Sequence, residues 1–155
     1  MQRNLAIASL VLIFALAALP AGAAVVQLAP LQDNTIYEDA TGNSNGAGKY
    51  LFIGQTGEDG GIPASLRRAL VAFDLSSIPA NAVVNSVHVE YTINNEPSFT
   101  ATADFADLHR VNRPWGEGAS NATGAEGRGA SAALGDATWA HAVHPSVAWS
   151  QAGGD

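Results

Sequence analysis

Between Arg67 and Ile93 the chain writes two segments in which apolar and polar residues alternate, and that alternation narrows what it can fold into. In the first, Ala69, Val71, Phe73 and Leu75 share one parity, while Arg68, Ala72 and Asp74 fall on the other. In the second, Val87, Val89, Tyr91 and Ile93 alternate with Ser86, His88, Glu90 and Thr92. Side chains in a strand point to opposite faces with period 2, so each segment is expected to be a strand that buries its apolar row. The connector "SSIPANA" carries Pro79 and Asn81 as turn residues. Two such strands joined by a short loop point to an antiparallel sheet packed on one face.

The rest of the chain reads in the same style. "VVQLAP" is expected to be a strand stopped at Pro30, "NTIYE" a second, and "YLFIG" a third ended by Gly54. Residues 39–49 ("DATGNSNGAGK") and the stretch "QTGEDGGIPAS" are loops by composition, and "FADLHRV" is one more strand. From "NRPWGEG" to "GDATW" the chain is rich in Gly and Ala and shows no helical stripe, so a long surface excursion is expected there. The end, "AHAVHPSVAWSQAGGD", is too short to fix a structure from its own pattern. Short strands, frequent turns and no long amphipathic helix give an all-β, antiparallel β-sandwich, jelly-roll-like, in one domain over 24–155.

Ahead of that domain, residues 1–23 have the form of a cleaved signal peptide: Arg3, an apolar run from Leu5 to Leu19, and Ala21 and Ala23 around Gly22. That run is shorter than the ~20 residues a spanning helix needs, and no second one follows, so no membrane span is expected after cleavage. The expected location is therefore secreted or extracellular. There is no cysteine, so stability must come from the core or from a bound metal. Without Arg3 the chain holds six basic residues against fourteen acidic ones, which disfavours nucleic acid as a partner.

"RRALVAFDLSSIPANAVVNSVHVEY", then "LHRVNRPWGEG" and "GDATW", resemble the DNRLRE domain, a disaggregatase-related β-sandwich of secreted bacterial and archaeal proteins. The resemblance runs from about Val25 onward, and it is related to a carbohydrate-binding module family found beside polysaccharide lyases. Members of that family continue into further strands, including a segment with an Arg-Glu pair that has no counterpart here. The resemblance therefore implies an incomplete domain belonging to a larger protein.

The residues also bear on chemistry. A hydrolase or lyase needs a base, a partner acid and a device to hold developing charge. Glu90, Asp104, Asp107, Glu117, Glu126 and Asp136 lie in strand faces or Gly-rich loops and read as solvated carboxylates, so no catalytic residues are expected. His141 and His144 lack a third nitrogen or sulfur ligand nearby and read as a packed or solvated pair. Asp33, Asp39, Asn43 and Asn45 gather oxygen donors around a Gly-rich turn, the donor type calcium takes. Trp115 between Arg113 and Glu117, with Trp139 after Asp136, offers aromatic rings beside a polar rim, as polysaccharide binding requires. The expectation is a non-catalytic module that anchors a larger protein to a cell-surface or matrix glycan. The alternatives are a structural or adhesive domain and an accessory domain of a polysaccharide lyase.

Overall fold

In the computed structural model, residues 24–56, 66–95 and 106–155 are described. The expected signal peptide lies outside them, as do most of the loop before Leu66 and Phe105, the first residue of the expected "FADLHRV" strand. Among the described residues there is no helix, and none is long and apolar enough to cross a membrane. The described residues form seven strands: β1 (Pro30–Tyr37), β2 (Asn43–Ser44), β3 (Gly54–Gln55), β4 (Leu66–Phe73), β5 (Ala130–Ser131), β6 (His141–Val143) and β7 (Val147–Ala148). They form one three-stranded sheet in the order β1-β4-β3 and two two-stranded ones, β2-β5 and β6-β7, and every pairing is antiparallel.

β1 and β4 are the spine. Their register runs from Tyr37 opposite Arg67 to Pro30 opposite Phe73, with a bulge between Pro30 and Gln32. Strand β1 starts at Pro30, where the sequence pattern placed a stop, because Pro at an edge-strand terminus has no ladder N–H to lose. "YLFIG" contributes only Gly54 to a ladder, and Tyr50 to Ile53 lie outside any strand.

Both rows of β4 are partly covered, which departs from the expected burial of a single row. Leu70 is only 5% exposed and lies on the core face with Leu66 and Arg68; the expected row of Ala69, Val71 and Phe73 is half-buried, and Leu75 is exposed. The core cluster joins Ile36 and Leu70 to Ala137, Trp139, Ala142 and Trp149, with Leu66, Val111 and Trp115 against its margin. Arg68 completes that face by laying its guanidinium 5.0 Å from the centre of the Trp139 ring and donating to the Gly153 carbonyl at 2.7 Å. On the opposite face, Arg67 sits 5.0 Å from the Tyr37 ring, pairs with the Asp39 carboxylate at 2.8 Å and donates to the Gly127 carbonyl. Burial pushes the Tyr37 hydroxyl up to about 12, although the Arg67 charge pulls it the other way.

Two further expectations are corrected. The second alternating segment is not a strand: residues 82–95 carry no ladder, turn or bend, and the apolar side chains from Val83 to Ile93 are exposed. Residues 106–111 of "FADLHRV" are likewise outside any strand. The Gly- and Ala-rich stretch read as a surface excursion instead supplies much of the interior, with Ser120, Ala122, Asp136, Ala137, Thr138 and Trp139 buried. Alternation reports which side chains can share a face, but a ladder also needs a partner edge, and for residues 82–95 none is in place.

Leu70→Ala is expected to destabilise the fold by about 2–5 kcal/mol, whereas Leu75→Ala should change stability by less than about 0.5 kcal/mol. Urea denaturation followed by tryptophan fluorescence checks this; equal losses would restore the odd-numbered row as the core.

Candidate functional site

The densest array of functional side chains lies where β1, the 43–50 turn and the 115–138 segment meet. Asn34 is at its centre and has no solvent exposure. Its Nδ2 donates to the Ser44 hydroxyl and to the Glu117 carbonyl, both at 2.8 Å, and more weakly to the Ala137 carbonyl. Its Oδ1 accepts from the Ser44 hydroxyl and the Asn45 amide, both at 3.0 Å. One buried amide thus ties a strand, a turn and the Gly-rich segment together, with donors and acceptors all engaged.

Asp136 performs the matching task from the other side. It is fully buried, and its carboxylate accepts from the backbone of Ala119 (2.6 Å) and Ser120 through one oxygen and Ala133 (2.7 Å) through the other. These N–H groups belong to irregular chain and have no ladder to satisfy them, so the carboxylate replaces a sheet partner. The approach is close enough to require glycine at 118: its φ is +77°, and an added Cβ would collide with the Asp136 carboxylate. Asn45 and Glu126 make a third knot. Asn45 Oδ1 accepts from the Ala122 amide, and its Nδ2 reaches the Tyr50 carbonyl and Glu126 Oε2. The same Glu126 oxygen accepts from the Lys49 and Tyr50 amides, and the Asn45 hydrogen bond, followed by those to Tyr50 and Lys49, holds the Glu126 carboxyl below its ordinary range.

Of the four oxygen-bearing residues expected to suit calcium, Asp39, Asn43 and Asn45 bond within this framework. Both Asp39 oxygens face Arg67, at 2.8 and 3.0 Å. Asn43 turns its amide to the Arg128 carbonyl, and Asn45 Oδ1 is occupied by the Ala122 amide. Asp33 lies instead beside Glu117, whose Oε1 accepts the Asp33 backbone N–H at 3.1 Å. Among the described residues, no three His, Cys, Asp or Glu side chains form a cluster that could hold a metal ion.

The expected glycan rim is also divided. Trp139 is 8% exposed, faced by Arg68, and Gly153 lies against its ring, which leaves no face for a sugar. Trp149 is 6% exposed and donates its ring N–H to the Thr138 carbonyl at 2.8 Å. Trp115 is half-buried against the core margin and keeps part of its ring at the surface. Arg113 beside it bonds the Ala148 carbonyl and pairs with Asp155 at 3.2 Å. Glu117 points toward Asp33 and away from any shared rim. His141 and His144 pack edge to face with ring centres 5.2 Å apart.

Comparison with protein-family models, curated proteins and solved structures found no match.

Sequence reasoning missed Asn34, Glu126 and the buried role of Asp136. Asn34 lies in a strand of the expected type, but nothing linear marks which polar residue turns inward. For Asp136 a signal did exist: the "GDATW" stretch sets a lone acid directly before a small-residue, aromatic run, the composition of a buried corner.

Two outcomes are expected. Asp136→Asn presents an N–H₂ to backbone donors and should cost about 3 kcal/mol in urea denaturation, whereas Glu90→Gln in the exposed segment should change little. Burial first and the Glu117 charge second hold the Asp33 carboxyl above its ordinary value of 3.8. Its folded pKa therefore lies above its unfolded one, so the ionised Asp33 costs stability above the folded pKa and nothing below the unfolded pKa. Glu117→Gln should lower the Asp33 pKa while burial keeps it above 3.8, read by carboxyl NMR titration. An unmoved value would separate the two carboxylates.

Proposed function

We propose that this chain is a secreted, non-catalytic β-domain that works as a structural or adhesive module within a larger protein. One observation carries the reading: the aromatic and polar side chains that would form a ligand site are engaged in holding the chain's own irregular segments. Trp139 and Trp149 fill the core. Asp136, Asn34 and Asn45 satisfy backbone and side-chain groups of the fold. Their hydrogen-bonding capacity is directed inward, which suits a rigid scaffold. The resemblance of "RRALVAFDLSSIP" and "NRPWGEG" to the DNRLRE domain adds a β-sandwich architecture to this reading.

A second reading keeps polysaccharide as the ligand. It is favoured by Trp115, whose ring retains surface exposure next to Arg113 on a loop. A half-buried ring near a guanidinium is a minimal sugar platform, although it lacks the second ring and the carboxylate rim the sequence suggested.

Tryptophan fluorescence of the folded protein, titrated with acidic and neutral polysaccharides with and without calcium, separates the two. The structural reading expects no saturable shift with any glycan and no calcium dependence. A saturable shift abolished by Trp115→Ala, with the Trp139 and Trp149 core intact by near-UV circular dichroism, would establish the glycan reading instead.

A further inference from the structure

Asn45 and Gly46 form the one Asn-Gly pair in the chain, and the fold fixes both members. At such a pair an asparagine side chain is most open to attack by the next backbone nitrogen, because glycine carries no Cβ to shield that nitrogen. Gly46 is held by packing: an added Cβ would run into the Glu117 carbonyl. Asn45 is held by bonding, being buried with both ends of its amide engaged. Exchange of either residue would disrupt the meeting point of the 43–50 turn and the 115–138 segment.

The same contacts decide whether the pair reacts. Attack forms a bond from the Gly46 nitrogen to Asn45 Cγ; the proton that this nitrogen gives up ends on Nδ2, which leaves as ammonia, and a cyclic imide remains. Water then opens the imide, at Cγ to give Asp or at the main-chain carbonyl of residue 45 to give isoaspartate. The balance is one water consumed and one ammonia released, with no change of oxidation state. In the folded protein Nδ2 donates to Glu126 Oε2 at 3.1 Å and to the Tyr50 carbonyl at 3.3 Å, while Oδ1 accepts the Ala122 N–H at 3.0 Å. The backbone is pinned as well. The Asn45 N–H donates to Asn34 Oδ1 at 3.0 Å, the Asn45 carbonyl accepts from the Gly48 N–H at 3.0 Å, and the Ala47 N–H donates to the Ser120 carbonyl at 2.8 Å. Ring closure turns the side chain and main chain of residue 45 and expels Nδ2, so it works against both sets of bonds, which opening of the turn removes.

The product does not fit the place that the asparagine leaves. Asp at position 45 presents a carboxylate where Nδ2 now donates, facing the Glu126 carboxylate and the Tyr50 carbonyl with no hydrogen to offer either. Isoaspartate also lengthens the main chain by one carbon between the contacts to Asn34 and Ser120.

We infer that Asn45-Gly46 is a conditional modification site: closed while the 43–50 turn is docked, hydrolysed to Asp or isoaspartate when the turn opens, and barred from redocking afterwards. Opening of the turn is thereby made irreversible, and each reacted copy is lost to the folded population. The inference goes beyond the structural reading and holds for an adhesive or a glycan-binding module alike.

Peptide mass spectrometry of the protein, incubated in mildly alkaline buffer with and without urea beyond the unfolding transition, tests it. The gain of about one mass unit at Asn45, with isoaspartate scored by enzymatic methylation, should accumulate at least about tenfold more slowly in the folded protein than in urea. Equal rates overturn the inference. Asn45→Asp should lower the ratio of folded to unfolded protein by about a hundredfold in urea denaturation. Combining it with Glu126→Gln, whose amide can donate to the new carboxylate, should recover about tenfold of that loss or more. An Asn45→Asp chain with an unchanged urea midpoint overturns the claim that the product is barred. A double variant no more stable than the single one overturns the facing carboxylates as the barrier. Should Asn45→Asp not fold at all, recovery of the near-UV circular dichroism of Trp139 and Trp149 in the double variant carries the comparison.

Discussion

The structure depends on the satisfaction of irregular backbone by buried polar side chains. Asp136 accepts three amide N–H groups and Asn34 bonds two carbonyls, an amide and a hydroxyl, in places where no sheet is present to do so. A buried N–H without a partner costs ~1–3 kcal/mol, so a chain whose interior is mostly irregular must supply acceptors from side chains or fail to bury it. Only then can Ala137, Trp139 and Trp149 dock on Ile36 and Leu70. The polar framework and the apolar cluster are consequently one unit: the Asn34 amide bonds the carbonyl of Ala137, and Asp136 precedes it in sequence.

This arrangement explains how a chain without cysteine and with sixteen glycines builds an interior. Glycine at 116 and 118 lets two irregular strands of backbone approach more closely than a Cβ would allow, and the hydrogen bonds between Gly116 and the Ala137 and Ala142 backbones follow from that approach. Arg67 and Arg68, adjacent in sequence, close the two faces of β4 by the same means, each laying a guanidinium over an aromatic ring and bonding a loop carbonyl. Arg67 is buried in this way, whereas Arg68 stays exposed while its guanidinium lies over the Trp139 ring. Asp39, Asn43 and Asn45, which the sequence offered as cation ligands, bond within the fold instead, and the large apolar side chains from Val83 to Ile93 are exposed.

Much was legible in the chain before folding. The absence of a helical stripe and the frequency of turn residues are local properties, and they correctly gave an all-β fold with antiparallel pairing. β4 was legible as a strand because its residues alternate and are β-formers. Its buried residues were not, because Leu70 lies on the row that Arg68 and Asp74 marked as polar, and Arg67 is covered by stacking its guanidinium on Tyr37. The polar site residues were legible as a composition but not as roles. Asp33 and Glu117 are 84 positions apart, and nothing in a linear pattern joins them.

The sequence by itself determined the conformational class, the positions of turns and the surplus of acidic charge, since each follows from residue type and its neighbours. Tertiary structure alone decided which polar groups turned inward, that Trp139 became core, and that "NSVHVEYTI" pairs with no strand among the described residues. Those outcomes depend on contacts between distant segments. A side chain's partner, more than its own chemistry, decides whether it supports the frame or faces a ligand.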